Sequence, residues 1–72
     1  GKMNRLRDLR EDRDLKQDDI AKVLNVSQTN YSKYELGKIN IPLETLKKLA
    51  RFYDTSIDYI LGLTKRKKPY KD

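Results

Sequence analysis

Apolar residues recur three and four positions apart along most of this chain, with polar residues between them. That spacing builds one apolar face per helix and does not suit strands. Met3, Leu6 and Leu9 predict a first helix from about Asn4 to Arg13, with Leu15 in the connection that follows. Ile20, Ala21 and Leu24 predict a second helix over Gln17–Leu24, with Asp18 and Asp19 in its first turn, where the helix dipole favours acids. Asn25-Val26-Ser27 is too short to be anything but a tight turn. Ser27 then suits the N-cap of a third helix over Gln28–Leu36. Tyr31 and Tyr34 share one face of it, three apart, and are expected to pack in the core.

Gly37 follows as the residue free to take positive φ at that helix's end. The loop Lys38–Ile41 leads to Pro42, which suits the start of a fourth helix. Leu46, Leu49, Ala50 and Tyr53 form its apolar face, with Lys47, Lys48 and Arg51 outward. Asp54-Thr55 breaks it. Ser56 caps a short fifth helix through Leu61, and Gly62 ends that one. Ile39 and Ile41 alternate, but Gly37 and Pro42 leave too little room for a strand. The pattern predicts an all-α domain of five short helices over residues 4–63. Residues 1–3 are read as an arm or an expression remnant, and residues 64–72 as a basic flexible tail.

Composition narrows the function. Seventy-two residues, 36% hydrophobic and 39% charged, make one small, polar domain with a modest core. The chain has no cysteine and no histidine. That removes disulfide scaffolds, Cys/His zinc sites and every nucleophile system that relies on either residue. Asp18 and Asp19 are adjacent, so they do not face one another on a helix, and no third ligand is near. No catalytic or metal-binding set and no cofactor is expected. No apolar run approaches membrane-spanning length, so the expectation is a cytoplasmic protein without a membrane partner. Asn25-Val26-Ser27 and Asn30-Tyr31-Ser32 fit the glycosylation pattern but lack a secretory context. Within these 72 residues no separate ligand-sensing domain is expected.

Much of the formal net charge of +6 resides in the tail, where Lys65, Arg66, Lys67, Lys68 and Lys71 face Asp72 alone. Within the body, Ala21–Tyr34 carries only Lys22 and Lys33 and no acid. Its uncharged polar run, followed by Lys38, Lys47, Lys48 and Arg51, suits base edges flanked by phosphates. Helices two and three, joined by three residues, must cross at a wide angle, and Ala21 lets them approach closely. Side chains at the start of the third helix, Gln28, Thr29 and Asn30, then project forward, with Lys33 one turn along.

The segment Gln17–Gly37 resembles the helix-turn-helix of the Cro/C1-type (XRE) regulators. The likeness runs from Arg5 to Gly62 and rests on Gln17, Ala21, Val26, Glu35-Leu36-Gly37 and Pro42 at matching spacings. It implies a compact five-helix, phage-repressor-like DNA-binding domain of a prokaryote or phage, acting as a dimer on an inverted-repeat operator. It implies base reading by Gln28, Thr29 and Lys33, with Asn30 between base edge and backbone. Gln17, Lys16, Ser27, Arg10, Lys38 and Asn40 form the implied backbone-contacting set. Arg10 and Glu35 match an ion pair tying the first helix to the third. Two departures stand out. Lys16 replaces the usual Ser or Thr cap, and Leu36 replaces a polar residue. Ile57, Tyr59, Ile60, Leu61 and Leu63 offer more apolar surface than a short helix buries, and are read as the dimer contact. The expected function is a double-stranded-DNA-binding repressor. The competing one is an antitoxin-like module whose main partner is a protein, and the enzyme class has no support.

Overall fold

Five helices form in the computed structural model, which describes residues 4–69: α1 (Leu6–Asp12), α2 (Gln17–Leu24), α3 (Gln28–Leu36), α4 (Leu43–Phe52) and α5 (Ile57–Ile60). No strand occurs among the described residues. The arm expected at residues 1–3 and the end of the tail at 70–72 lie outside the described residues. α2 and α3 have the bounds that periodicity predicts. α1 starts later than expected, with Arg5 as its N-cap: Asn4 stands before the helix, where its Oδ1 accepts from the Leu6 N–H at 3.0 Å. Its Nδ2 donates to the Tyr34 carbonyl at 2.9 Å, so the same residue ties the start of α1 to α3. Pro42 sits at the N-cap of α4, one position before the first helical residue. Ser56 caps α5 through the Tyr59 N–H at 3.0 Å.

All five helices end in the same way. Asp14, Asn25, Gly37, Asp54 and Gly62 take left-handed φ values of 55, 58, 70, 52 and 80°. The N–H of the following residue reaches back to a carbonyl in the last turn, as from Val26 to Ala21 and from Lys38 to Lys33, both at 3.0 Å. This reversal satisfies carbonyls that a helix end leaves without partners. Asn and Asp tolerate the conformation better than other side-chain-bearing residues, which is why three of the five stops carry no glycine.

Each helix turns its apolar face into one core: Leu6 and Leu9 from α1; Ile20, Ala21 and Leu24 from α2; Tyr31 and Tyr34 from α3; Leu46 and Leu49 from α4; Ile60 from α5. Tyr53, just beyond α4, joins them. The Tyr31 and Tyr34 rings meet edge to face at 6.3 Å. Ile60 corrects the sequence reading, which places it on an outward dimer surface. It is fully buried, because a four-residue helix pinned by the Arg5 N–H to the Ile60 carbonyl at 2.8 Å turns that side chain inward.

The segment after α5 is not a free tail where it is described. The Arg5 guanidinium lies 4.1 Å over the Tyr59 ring and donates to the carbonyls of Tyr59 (2.6 Å) and Thr64 (2.8 Å). Thr55, a buried polar residue, donates its hydroxyl to the Lys67 carbonyl. Lys67 Nζ lies 3.6 Å from an Asp12 carboxylate oxygen. A buried hydroxyl needs an acceptor, and the returning chain supplies it.

Candidate nucleic-acid interface

The turn between α2 and α3 is fixed by local chemistry. Asn25 reverses the chain, Val26 packs partly into the core, and Ser27 Oγ accepts from the Asn30 N–H at 3.1 Å. Lys16 cannot cap α2 with its side chain, because an ammonium has no acceptor. Half of a capping box forms instead, with Asp19 Oδ2 accepting from the Lys16 N–H at 2.8 Å. Buried Ala21 lets the two helices approach closely.

Behind this unit stands a bidentate ion pair. Arg10 Nε donates to Glu35 Oε2 at 2.6 Å and Nη2 to Glu35 Oε1 at 3.1 Å, while Nη1 donates to the Leu15 carbonyl at 2.9 Å. The two side chains are 12% and 4% exposed. Burial works to raise the Glu35 carboxyl. Hydrogen bonds, first from Arg10 and also from Gln17, outweigh it with the Tyr31 hydroxyl beside the same carboxylate, and hold it below the usual carboxylate range. The Tyr31 and Tyr53 hydroxyls are sealed inside without a hydrogen bond of good geometry. Burial, above all, pushes both phenols up, Tyr53 to about 12.

The network continues outward. Gln17 Nε2 donates to Glu35 Oε1 at 3.2 Å, and Gln28 Nε2 donates to Gln17 Oε1 at 3.3 Å. A line of hydrogen bonds therefore runs from α1, through the end of α3 and the start of α2, to an exposed side chain at the start of α3. Nothing in the sequence periodicity couples Gln17 to Glu35 or to Gln28, because each link joins separate helices.

The remaining candidates fall into place around this line. Thr29 and Lys33 are exposed on α3. Asn30 is half-buried, with Nδ2 at 3.4 Å from the Tyr34 hydroxyl. Lys16 and Ser27 are exposed at the starts of α2 and α3, and Lys38 and Asn40 in the loop after α3. Leu36 is half exposed beside a polar groove of about 550 Å³ that Arg7, Gln17 and Glu35 also line. Of the apolar set near α5, Ile57 and Tyr59 are half-buried, whereas Leu61 and Leu63 are exposed, Leu63 by 73%. No group of acids among the described residues is arranged to hold a metal ion. No helix among the described residues is long and apolar enough to cross a membrane.

Two short helices crossing through a three-residue turn, with a polar, acid-free helix start presented to solvent, define a helix-turn-helix DNA-binding domain. Comparison with known proteins makes the assignment specific. A family model described as helix-turn-helix matches residues 6–60, and the chain belongs to that family, in its Cro/C1-type branch. It is similar to the uncharacterised HTH-type transcriptional regulator YobD of Bacillus subtilis, 43% identical over 83% of this chain and 54% of the relative. It is likewise similar to the transcriptional repressor RstR of the cryptic phage CTXphi of Vibrio cholerae, 43% identical over 75% of this chain and 49% of the relative. The transcriptional activator BcrR of Enterococcus faecalis is 39% identical over 81% of this chain and 28% of its own length. The chain thus spans about half the length, or less, of these relatives. No solved structure matches it. Its family and relatives are those of DNA-binding regulators of transcription rather than of enzymes.

Proposed function

We propose that this domain represses transcription by occupying an inverted-repeat operator as a homodimer, with α3 of each subunit in a major groove. The observation that carries the reading is the hydrogen-bonded Gln17–Gln28 pair at the exposed start of α3. An amide offers two N–H donors and one acceptor oxygen. One Gln28 N–H is held by Gln17, and the other N–H with Oε1 stays free for the bidentate pattern that adenine presents. Thr29 sets a methyl against thymine, Lys33 reaches guanine acceptors or a phosphate, and Asn30 lies between base edge and backbone. Lys16, Gln17, Ser27, Lys38 and Asn40 lie where the flanking phosphates pass. Arg10 serves as a strut behind this surface and not as a phosphate contact, because its guanidinium is bonded inward through Nε, Nη1 and Nη2. Leu61 and Leu63, with the exposed edges of Ile57 and Tyr59, supply the dimer contact. That contact sets two half-sites about 34 Å apart, one helical turn of DNA. Repression follows from occupancy alone and needs no surface beyond these, and the similarity to a phage repressor supports it.

Selection from a randomised duplex pool at two salt concentrations tests the proposal. An inverted repeat should be enriched and should survive the higher salt. Gln28→Ala should cost about 1–3 kcal/mol and relax one base position in each half-site. Uniform loss on every sequence would overturn base reading by Gln28. Retention that collapses with salt and enriches nothing would reduce the interaction to backbone electrostatics. A sedimentation coefficient that stays constant across a wide concentration range, with operator present, would rule out the dimer.

A further inference from the structure

We propose that Glu35, which touches no DNA in this arrangement, is a positioning residue that sets the amide polarity of Gln28 and so its base preference. The inference rests on the reading of Gln28 given above and adds the residue that orients it. An ionised carboxylate only accepts hydrogen bonds. Glu35 Oε1 therefore draws the nitrogen of the Gln17 amide inward, at 3.2 Å, and leaves the Gln17 oxygen facing Gln28. An amide oxygen likewise only accepts, so Gln28 must offer its nitrogen, which it does at 3.3 Å. The choice at each amide follows from the one before it, and the first is made by a side chain 4% exposed. Arg10 keeps that first group ionised and stationary with two bonds of its own.

The polarity matters because adenine offers one donor and one acceptor on its major-groove edge, whereas guanine offers two acceptors. A Gln28 amide free to rotate would satisfy either less selectively. The Arg10–Glu35 pair would hold α1 to α3 without the Gln17 bond. That bond is the part of the network that a purely structural role does not require.

The test uses the full chain with Glu35→Gln, Gln17→Met, Gln28→Ala and the double variant Glu35→Gln/Gln28→Ala. Each is checked by thermal unfolding and then profiled against every single-base change in the selected operator. A glutamine at position 35 can turn its oxygen to Arg10 and its nitrogen to Gln17, which reverses the amides in series. Glu35→Gln should therefore reduce preference about fivefold to tenfold at the position Gln28 reads, and leave other positions unchanged. It should add nothing further at that position once Gln28 is alanine. Gln17→Met keeps Arg10 and Glu35 paired, so it carries the test if Glu35→Gln does not fold. It should relax the same position while also lowering affinity uniformly through its lost phosphate contact. If Gln28→Ala relaxes no position, the base-reading role of Gln28 fails. If Gln28→Ala relaxes a position that Glu35→Gln and Gln17→Met leave intact, the positioning role of Glu35 is overturned. Uniform weakening on all sequences by Glu35→Gln also overturns it, since that is the mark of a structural role alone.

Discussion

The reading end and the far end of this small bundle are held by different forces. Around α1, α2 and α3 the ties are polar: the Arg10–Glu35 pair, the Gln17 and Gln28 amides, and the Asn4 bridge to Tyr34. Around α4 and α5 they are mainly apolar, with Leu49 and Ile60 fully buried and the chain after α5 strapped back by Arg5 and Thr55. Apolar packing is strong but non-directional. Hydrogen bonds contribute less net free energy and fix orientation. A surface that must present one amide in one polarity needs the second kind of force. An end that only closes a core does not.

Removing Arg10 should do the most damage. Arg10→Met leaves the Glu35 carboxylate buried without its counter-ion, which costs about 3–5 kcal/mol. In a domain of this size each kcal/mol shifts Tm by roughly 4–8 °C. The double variant Arg10→Met/Glu35→Met should recover most of the loss, because an apolar pair of similar volume often replaces a buried ion pair with little cost. A double variant as unstable as the single one would show that packing, and not charge, holds α1 to α3.

Leu49→Ala probes the other end. Leu49 is fully buried, and such truncations cost about 2–5 kcal/mol according to how far the cavity collapses. Its signature should differ from that of the polar variants. Measured below its lowered Tm, Leu49→Ala should keep the base preferences of the parent operator. A change at the position read by Gln28 would mean that the two ends are coupled after all.

Acidity separates the ends more gently. Glu35 is held below the usual carboxylate range in the folded chain. Its contribution is therefore complete above the unfolded carboxylate value of about 4.3, and is lost as pH falls through the lower folded value. Urea midpoints taken from pH 6 downward should fall more steeply for the parent than for Glu35→Gln. At alkaline pH the sign reverses. Tyr53 is raised to about 12, so the folded state keeps a proton that the unfolded chain loses near 10. Stability should drop as pH rises above about 10, and Tyr53→Phe should blunt that drop.

How much of this was legible in the sequence depended on distance along the chain. α2 and α3 read cleanly because their signals are local: Ile20, Ala21 and Leu24 set one face, Ser27 caps, and Gly37 stops. The breaks at Asn25 and Asp54 were legible but not the way they stop the chain, because Asp14, Asn25 and Asp54 each also fit an ordinary turn and only the structure shows the left-handed φ. Ile60 was misplaced because a four-residue helix has too few positions to define a face. The exposed polar start of α3 was visible from composition. The Glu35–Gln17–Gln28 line was not, since periodicity says nothing about which side chains of three different helices meet. The strap was missed for the same reason: Thr55 reads as a helix breaker until a carbonyl twelve residues on is found bonded to it.

The smallest expected effect lies in that strap. Thr55→Val keeps the shape of a buried side chain and removes its bond to the Lys67 carbonyl. Lys67 is exposed, so the freed carbonyl can turn to water, and the loss should be near the net value of one hydrogen bond, about 1 kcal/mol. The Lys67–Asp12 pair adds little by itself, because both side chains are more than half exposed. The local consequence should exceed the global one. Lys65, Arg66 and Lys67 are trypsin sites, whereas Pro69 blocks cleavage after Lys68, and strapped chain resists cleavage that needs an extended, released backbone. In Thr55→Val, cleavage at these residues should speed up severalfold while Tm falls by roughly 4–8 °C and operator preference is unchanged. Equal cleavage rates would show that the Arg5 bonds alone hold the segment. The far end would then be fastened at the start of α1 and not at the α4–α5 turn.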